Sequence, residues 1–160
     1  ARSIAAKKGV LLHKDLSQFT NQKFEIITLW HVLEHVENLE EYILILEKLL
    51  SKNGKLIIAV PNYKSYDAKY YSKFWAAFDV PRHLWHFSET SISKLFAPVN
   101  LKVEKILPMK FDAYYVSLLS EKYKCGSMKP ISALYRGFVS NIKAIKSKQY
   151  SSLIYVLKKS

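Results

Sequence analysis

Two apolar runs with an amphipathic segment between them constrain the fold of this chain most. Residues 24–30 and 55–60 are almost continuously apolar, as strands buried on both faces usually are. Between them, apolar residues recur every three or four positions over 38–51, and Asn38 with Glu41 forms a helix N-capping pattern. Strand, helix and strand in this order predict a parallel βαβ unit with a right-handed crossover.

A parallel pair of strands brings both carboxyl ends to one edge of a sheet, where open α/β sheets bind their ligands. Residues 30–31 should therefore lie beside residues 61–62. A shorter apolar run over 10–12 predicts a further strand. If that strand is parallel as well, Asp15 joins the same edge of the sheet.

Local signals predict the remaining elements. The aromatic segment 63–87 predicts a short helix and a loop that fold as a lid over the ligand-binding edge. The elements predicted after it are a helix from Ser88, a strand over 101–107 ended by Pro108, helices over 112–124 and 131–146, and a closing strand over 152–157. We expect a single domain over 1–160, with 109–150 as a helical insertion before the last strand.

The helix predicted over 131–146 has one strongly apolar face. That face consists of Ile131, Leu134, Tyr135, Phe138, Val139, Ile142 and Ile145. Arg136, Lys143 and Lys146 lie away from it, so the helix could rest on a membrane that carries a lipid substrate. An apolar stripe on a helix is more often packed in the core, and we therefore expect the face to be buried.

Composition and charge limit the compartment and the partners. Cys125 is the only cysteine, and no run of about 18 apolar residues could span a bilayer, so we expect a cytoplasmic protein. Residues 1–100 carry 13 basic and 10 acidic side chains, whereas residues 101–160 carry 12 and 3. Because 22 of the 25 basic residues are lysine, while bidentate phosphate recognition usually recruits arginine, a solvated surface is favoured over a nucleic-acid site.

Residues 31–35 match the H-x-x-E-H pattern of some zinc proteases. Two histidines four residues apart can hold one ion only when a helical turn is formed between them. Here His31 directly follows a predicted strand, and the next helix begins at about Asn38. We therefore predict that these residues line a small-molecule pocket and that no metal is bound, with His83 and His86 as the additional ligands of the zinc alternative.

Several stretches in this order resemble class I S-adenosylmethionine-dependent methyltransferases. They are D-L at 15–16, F-E-I-I-T-L-W-H-V-L-E-H-V at 24–36 and K-N-G-K-L-I-I-A-V-P-N at 52–62. The L-E-H-V stretch is similar to the ubiquinone-type O-methyltransferases, and D-V-P-R-H-L-W-H-F-S at 79–88 resembles a large group of bacterial members. The resemblance covers most of 1–107 and the final strand. It implies a partial Rossmann-like α/β sheet with parallel strands, a terminal antiparallel strand and helices on both faces.

The resemblance also implies residues that bind S-adenosylmethionine. Asp15 would accept a hydrogen bond from the adenine amino group, and Leu16 would offer backbone and apolar contacts. Trp30 and His31 would flank the methionine portion. The structural alternatives are a turn or capping aspartate for Asp15 and strand-end packing for Trp30 and His31.

Methyl transfer to a hydroxyl needs a group that accepts the hydroxyl proton, and a histidine can do this at neutral pH. His35 is the first candidate, with Glu34 orienting it or a substrate group. His83 or His86 of the lid is the second choice. Each of these histidines has the alternative of capping the turn or packing under the loop.

The methyl acceptor is expected to be a small or lipid-like molecule with a hydroxyl group. Arg82 could hold a carboxylate or phosphate of the acceptor, or could pair with Asp79 or Glu89 instead. Aromatic side chains of the lid could shape an apolar pocket, although most of them are expected to pack the lid itself. The candidate substrate-binding residues are Asn62, Tyr63, Arg82 and His86.

The sequence departs from the family pattern at its glycines. The four glycines stand at positions 9, 54, 126 and 137, and no G-x-G occurs, whereas the family holds its cofactor on a glycine-rich turn. We therefore expect a truncated methyltransferase domain that binds S-adenosylmethionine poorly and is inactive alone, and whose exposed sheet edges could drive self-association. A nucleic-acid methyltransferase and a non-catalytic interaction module are the alternatives.

Overall fold

A computed structural model describes residues 2–13, 15–19 and 21–160. A four-stranded sheet in the order β1-β2-β4-β3 forms its centre. The strands are β1 (Phe24–Trp30), β2 (Leu50–Pro61), β3 (Leu101–Met109) and β4 (Ser152–Lys159). The α-helices are α1 (Arg2–Lys7), α2 (Leu39–Leu49), α3 (Tyr66–Tyr71), α4 (Glu89–Phe96), α5 (Asp112–Cys125) and α6 (Pro130–Ser147). Within these ranges no helix is both long enough and apolar enough to cross a bilayer.

The βαβ unit predicted from the apolar pattern is confirmed. β1 and β2 are parallel, with Ile27 opposite Leu56 and Trp30 opposite Ala59. The helix α2 connects them, and the side chain of Asn38 caps it by accepting a hydrogen bond from the backbone N–H of Glu41 at 3.2 Å. The closing strand β4 is antiparallel to β2 and to β3, so the sheet is mixed and Rossmann-like, with helices around it.

The main core lies between the sheet and the helices α2 and α4. Side chains such as Leu46, Ile58 and Phe96 are almost completely buried there. β2 and β4 occupy the two inner positions of the sheet, so the residues of β2 at its carboxyl end are buried in sequence from Ile58 to Pro61. This burial on both faces explains why residues 55–60 carry no polar alternation.

Two predictions about strands are wrong. Residues 10–12 form no strand and are exposed, because a run of three apolar residues becomes a strand only beside a partner, and among the described residues β1 pairs only with β2. Pro108 does not end β3, which continues to Met109 with Pro108 opposite Leu153. Because β3 is an outer strand, a residue that lacks an N–H can be accommodated there.

The two helices predicted between β3 and β4 are confirmed, but the prediction that the apolar face of the second is buried is wrong. The outer face of α6, which we define as Ile131, Leu134, Tyr135, Phe138, Ile142 and Ile145, has 50–86% of each side chain exposed. The buried face instead carries the small residues Ala133, Gly137, Ser140 and Ala144. A Cβ added at Gly137 would lie 2.6 Å from Cδ1 and 2.9 Å from Cα of Tyr114, so only a small residue permits this approach of α5 to α6.

The segment 63–87 folds as the short helix and loop that the sequence predicts. Its aromatic side chains Tyr71 and Trp75 are buried in a second apolar cluster with Val116 of α5. The buried carboxylate of Asp67 accepts hydrogen bonds from the Trp75 indole and from the hydroxyls of Ser140 and Ser151, each at 2.7 Å. These bonds fix the segment to α6 and to the start of β4, and thereby position the loop at residues 76–86.

Candidate functional site

The carboxyl ends of β1 and β2 lie at the same edge of the sheet, as the sequence predicts. Directly after β1, His31 adopts a left-handed backbone conformation with φ of 52°, and its N–H donates to the carbonyl of Ala59 at 3.0 Å. A non-glycine residue seldom adopts this conformation, and such residues concentrate at functional sites. The turn redirects the chain from the strand into the short helix Leu33–His35.

A cavity of about 310 Å³ opens at this edge. Its walls come from the ends of the strands, from the loop after α3 and from one side of α5. The lining residues are His31, Pro61, Met109 and Ser152 at the sheet, Ala76, Ala77, Asp79, Arg82 and His83 in the loop, and Asp112, Tyr115, Val116, Leu119 and Tyr123 in α5. This volume suits a small molecule or one end of a longer one.

His31 is held as a cation between two carboxylates. Its Nδ1 lies 3.1 Å from Oε1 of Glu34, and its Nε2 lies 3.2 Å from Oδ2 of Asp112. The hydrogen bond to Asp112, followed by that to Glu34, raises the pKa of His31 to about 9 against the opposing effect of burial. A doubly donating imidazolium at neutral pH cannot accept a proton, so His31 is excluded as a general base.

Glu34 connects the strand end to the loop. Its side chain is 1% exposed, Oε1 pairs with His31, and Oε2 has no hydrogen-bond partner among the described residues. Its backbone carbonyl accepts the N–H of Leu84 at 2.8 Å, so the same residue fixes the chain around His83. The sequence predicted an orienting role for Glu34, and the carboxylate is near enough to His83, at 4.0 Å from its Nε2, to stabilise a charged imidazole.

His35 and His83 lie together, and Nε2 of His83 faces Oδ2 of Asp79 at 3.9 Å and Oε1 of Glu34 at 4.0 Å. Nδ1 of His83 lies 2.8 Å from the carbonyl of Ala77, and Nδ1 of His35 lies 3.0 Å from the carbonyl of Arg82. Because a carbonyl only accepts, each Nδ1 must carry the proton, which leaves Nε2 of the neutral ring with a lone pair. The two rings are in edge-to-face contact at 4.7 Å, and of the two only His83 lines the cavity.

The same group of side chains could hold a divalent metal. One ligand atom from each of Glu34, His35 and His83 lies within 4.8 Å of the others. Histidines whose second nitrogen donates to a carbonyl are common metal ligands. Oε1 of Glu34 already pairs with the cationic His31, whereas its Oε2 has no hydrogen-bond partner among the described residues. The absence of a metal therefore stays a prediction.

The two other candidates in the loop have partners within the protein. The guanidinium of Arg82 pairs with Asp79 at 2.8 Å, which is the alternative that the sequence left open, and its side chain is 75% exposed at the rim of the cavity. Nε2 of His86 donates to the carbonyl of Phe78 at 3.0 Å, and His86 does not line the cavity. Arg82 thus remains placed to meet an acceptor, whereas His86 serves the loop.

The predicted cofactor residues are divided between two places. Asp15 and Leu16 line a second pocket of about 620 Å³ with His13, Phe19, Glu41, Tyr42 and Ile45, and this pocket shares no residue with the cavity at His31. Trp30 is 52% exposed at the tip of β1. The structure therefore brings His31 to the cavity but leaves Asp15 and Leu16 outside it.

The predicted substrate residues Asn62 and Tyr63 belong to the scaffold. The buried amide of Asn62 donates to Gln149 and to the carbonyl of Tyr150, and accepts from the N–H of Lys64, each at 3.1 Å. Tyr63 packs against the second apolar cluster. Neither side chain lines the cavity, so their assignment as substrate contacts has no support from the geometry.

Sequence reasoning missed the residues that α5 contributes. Asp112, Tyr115 and Tyr123 line the cavity, yet the sequence marked Asp112 only as the start of a helix. A usable signal was present, because β3 runs in the same direction as β2, which places Met109 and the helix that follows it at the ligand-binding edge. The acidic residue in the first turn of that helix was the candidate to examine.

The sequence matches a family of known proteins over the part of the chain that contains β1, β2 and the loop with His83. A family model described as a methyltransferase domain matches residues 2–106. The chain belongs to this methyltransferase family. No curated protein matches the sequence. The matched region contains β1, the βαβ crossover and the loop that carries His83, whereas α5 and α6 of the methyltransferase domain lie beyond it.

Solved methyltransferases share the fold of this domain at low identity. The mitomycin 7-O-methyltransferase MmcR has a TM-score of 0.57 and 14% identity, over 100% of this chain and 38% of MmcR. A SAM-dependent methyltransferase from Thermotoga maritima has a TM-score of 0.63 and 16% identity, over 99% of this chain and 68% of the Thermotoga protein. The third structure is the O-methyltransferase from a trans-AT PKS multienzyme of Brevibacillus brevis, in complex with S-adenosyl-L-homocysteine. It has a TM-score of 0.53 and 15% identity, over 99% of this chain and 53% of the Brevibacillus protein. The domain therefore has the class I methyltransferase fold, and it spans between 38% and 68% of the length of these proteins.

Proposed function

We propose that the protein takes part in transfer of a methyl group from S-adenosylmethionine to a hydroxyl of a small-molecule or lipid-like acceptor. The observation that carries the proposal is the cavity at the carboxyl ends of β1 and β2, into which the fold brings a histidine with an available lone pair. Ligands of open α/β sheets bind at this edge.

His83 is the candidate catalytic base. It lines the cavity, its Nδ1 is occupied by the carbonyl of Ala77, and its Nε2 can accept the proton of an acceptor hydroxyl. The carboxylate of Glu34 would stabilise the imidazolium that results, since its Oε1 lies 4.0 Å from Nε2. His35, the first candidate from the sequence, contacts the ring of His83 from outside the cavity and is better placed as a positioning residue.

The residues present are chemically suited to S-adenosylmethionine. Asp15 lies beside Leu16, Phe19 and Tyr42, and a carboxylate next to apolar side chains suits an adenine ring with its amino group. When bound, S-adenosylmethionine supplies a methyl group on a positively charged sulfur. Around the cavity the three carboxyl groups of Glu34, Asp79 and Asp112 stand against the two cations His31 and Arg82, so the local charge favours a positive donor.

The test measures methyl transfer to hydroxyl-bearing acceptors together with donor binding. Tritiated S-adenosylmethionine is supplied at saturating concentration, because the sequence lacks G-x-G and we expect weak binding to this chain alone. The acceptors are a panel of phenols, catechols and aliphatic alcohols, with a bacterial lipid extract as the lipid-like arm. We expect His83→Ala to lower turnover by about a hundredfold or more, while calorimetry shows unchanged donor affinity.

Chemical rescue separates a catalytic role from a structural one. Added imidazole should restore part of the turnover of His83→Ala, because a small base can enter the space left by the side chain. For His35→Gln we expect a smaller loss, of about tenfold, without rescue. Full turnover by His83→Ala would remove the base from the proposal, and a chain that binds no donor at saturating concentration would favour a non-catalytic interaction module.

A further inference from the structure

The outer face of α6 is a continuous apolar surface that is exposed to solvent. Its six large side chains are each at least half exposed, and they follow the spacing of one helix face. Phe111, which is 87% exposed just before α5, continues the surface, since it shares a shallow depression with Phe138, Ile142 and Ile145. Exposed apolar area of this kind usually marks an interaction site.

The charged residues of α6 and of the chain on either side of it are all basic. Residues 122–160 contain no acidic residue at all. The basic residues of α6 and its flanks are Lys122, Lys124, Lys129, Arg136, Lys143, Lys146 and Lys148, whereas Lys158 and Lys159 of β4 pair with Glu104 and Glu47. Lys110, beside Phe111, lines the same shallow depression, and Lys129, Lys146 and Lys148 are exposed at the two ends of α6.

We infer that α6 lies flat on an anionic lipid bilayer, with its outer face in the interface between headgroups and acyl chains. Apolar side chains flanked by lysines, on a helix that does not span the bilayer, are the features of such interfacial helices. Anionic headgroups complement the lysines, and the lysine stems can reach them while the apolar side chains enter the interface.

Charge argues against the other occupants of this face. Two copies of the chain joined through α6 would bring two basic helices together without an acidic residue from 122–160 to compensate them. A nucleic acid would satisfy the lysines but would leave Phe138, Ile142 and Ile145 against phosphates. An anionic bilayer matches both the apolar and the basic components.

The position of α6 also relates the bilayer to the cavity. Phe111 of the apolar surface is followed directly by Asp112, which lines the cavity and pairs with His31. A bilayer in contact with Phe111 would therefore lie next to the α5 wall of the cavity. The inference does not rest on the proposed function, because its readout is lipid binding.

The experiment is sedimentation of the protein with sucrose-loaded vesicles. One set contains only phosphatidylcholine, and the other contains roughly one third phosphatidylglycerol. We expect partitioning onto the anionic vesicles to be at least about tenfold stronger, and to fall when the ionic strength is raised from about 0.1 M to about 0.5 M.

Variants on exposed positions separate the two components of binding. Phe138→Ser with Ile142→Ser should lower partitioning by about tenfold or more, because both side chains leave the interface. Lys146→Gln and Lys148→Gln should each lower binding to anionic vesicles by about fivefold and leave the phosphatidylcholine result unchanged. The matched controls are Leu44→Ser on α2 and Lys94→Gln on α4, both exposed away from α6 and expected to bind as the wild type does.

A fluorescence measurement locates the contact. Phe138→Trp should show a blue-shifted emission on anionic vesicles, whereas Leu44→Trp should not. Wild-type protein that stays in the supernatant, or a Phe138→Ser, Ile142→Ser variant that binds fully, overturns the inference. A wild-type dimer that dissociates in this variant also overturns it, because a second copy of the chain would then cover the face. RNA binding that the same substitutions abolish overturns it as well.

Discussion

The sheet with its crossover helix and the pair α5–α6 use apolar side chains in opposite ways. In the crossover region the large side chains point inward, and Leu46 of α2 and Ile58 of β2 are 1% and 0% exposed. In α6 the large side chains point outward, and Phe138 is 54% exposed beside the buried Gly137. Both helices show the same three-and-four spacing in the sequence.

The comparison shows that periodicity predicts a helix but does not predict which face is buried. In α6 the inner face is selected by shape and by polar partners. Gly137 permits the close approach of Tyr114, and Ser140 donates to the buried carboxylate of Asp67. Small residues allow two helix backbones to approach, and a buried polar partner must be satisfied, so these requirements outweighed the burial of large side chains.

Truncating one large side chain in each region should give the largest contrast. We expect Leu46→Ala to lower the free energy of unfolding by about 3 kcal/mol, because it opens a cavity in the main core. Ile142→Ala on the outer face should change it by less than about 0.5 kcal/mol. Urea unfolding followed by circular dichroism measures both. A loss of several kcal/mol, on the order of a core truncation, for Ile142→Ala would mean that the outer face is covered.

Removing the polar partner of the inner face should have the next largest effect. Asp67→Asn should lower the free energy of unfolding by about 2 kcal/mol, because the three donors from Trp75, Ser140 and Ser151 lose a charged acceptor. Ser140→Ala removes one donor and leaves the others bonded, so about 1 kcal/mol is expected. The same unfolding assay applies, and equal losses for the two variants would show that the carboxylate does not organise the network.

The elements of the fold that sequence predicted correctly are those encoded locally. Asn38 with Glu41 caps α2, and Ser88 caps α4 through a capping box with Ser91. The strand at 10–12 failed because pairing with a neighbour, rather than the apolar run, decides whether a strand forms. The exposed outer face of α6 could not be predicted, since the deciding contact at Gly137 comes from a side chain on another helix.

In the candidate site, too, some features could be predicted from sequence and others depend on contacts between distant residues. His31 and His83 could be selected from sequence because each follows or faces a predicted strand end. The positive charge of His31 could not be predicted from sequence. Its main partner Asp112 is 81 positions away and contacts it only because α5 packs at the sheet edge. That partner makes His31, which the sequence predicted only as a cofactor contact, a fixed cation.

A smaller effect is expected where the two helices approach each other. Gly137→Ala should lower the free energy of unfolding by about 1–2 kcal/mol, since the added Cβ meets Tyr114 at 2.6 Å while the helix gains up to about 1 kcal/mol in propensity. Phe138→Ala, one residue further along, should change it by less than about 0.5 kcal/mol. A stabilised Gly137→Ala protein would show that the helix contact is loose and that another cause selects the inner face.

The smallest expected effect concerns ion pairs, because lysines of the sheet pair with a carboxylate and Lys146 of α6, among the described residues, does not. On the sheet, Glu104 of β3 pairs with Lys158 at 2.6 Å and with Lys55, and these bonds lower its pKa from 4.5 to about 2. Lys146 of α6 is exposed, and residues 122–160 contain no Asp or Glu that could pair with it.

The lowered pKa of Glu104 makes the stability of the sheet depend on pH. A lowered pKa means that the pairing stabilises the fold above pH 4.5 and that this contribution is lost as the pH falls towards 2. Carbon-13 NMR should place the Glu104 midpoint near 2, Lys158→Gln should raise it towards 4.5, and Lys146→Gln should leave it unchanged. A wild-type midpoint near 4.5 would contradict the pairing of Glu104 with Lys55 and Lys158. These two lysines of the sheet would then lack a carboxylate partner, as Lys146 of α6 does among the described residues, and the electrostatic contrast between the two regions would be weaker.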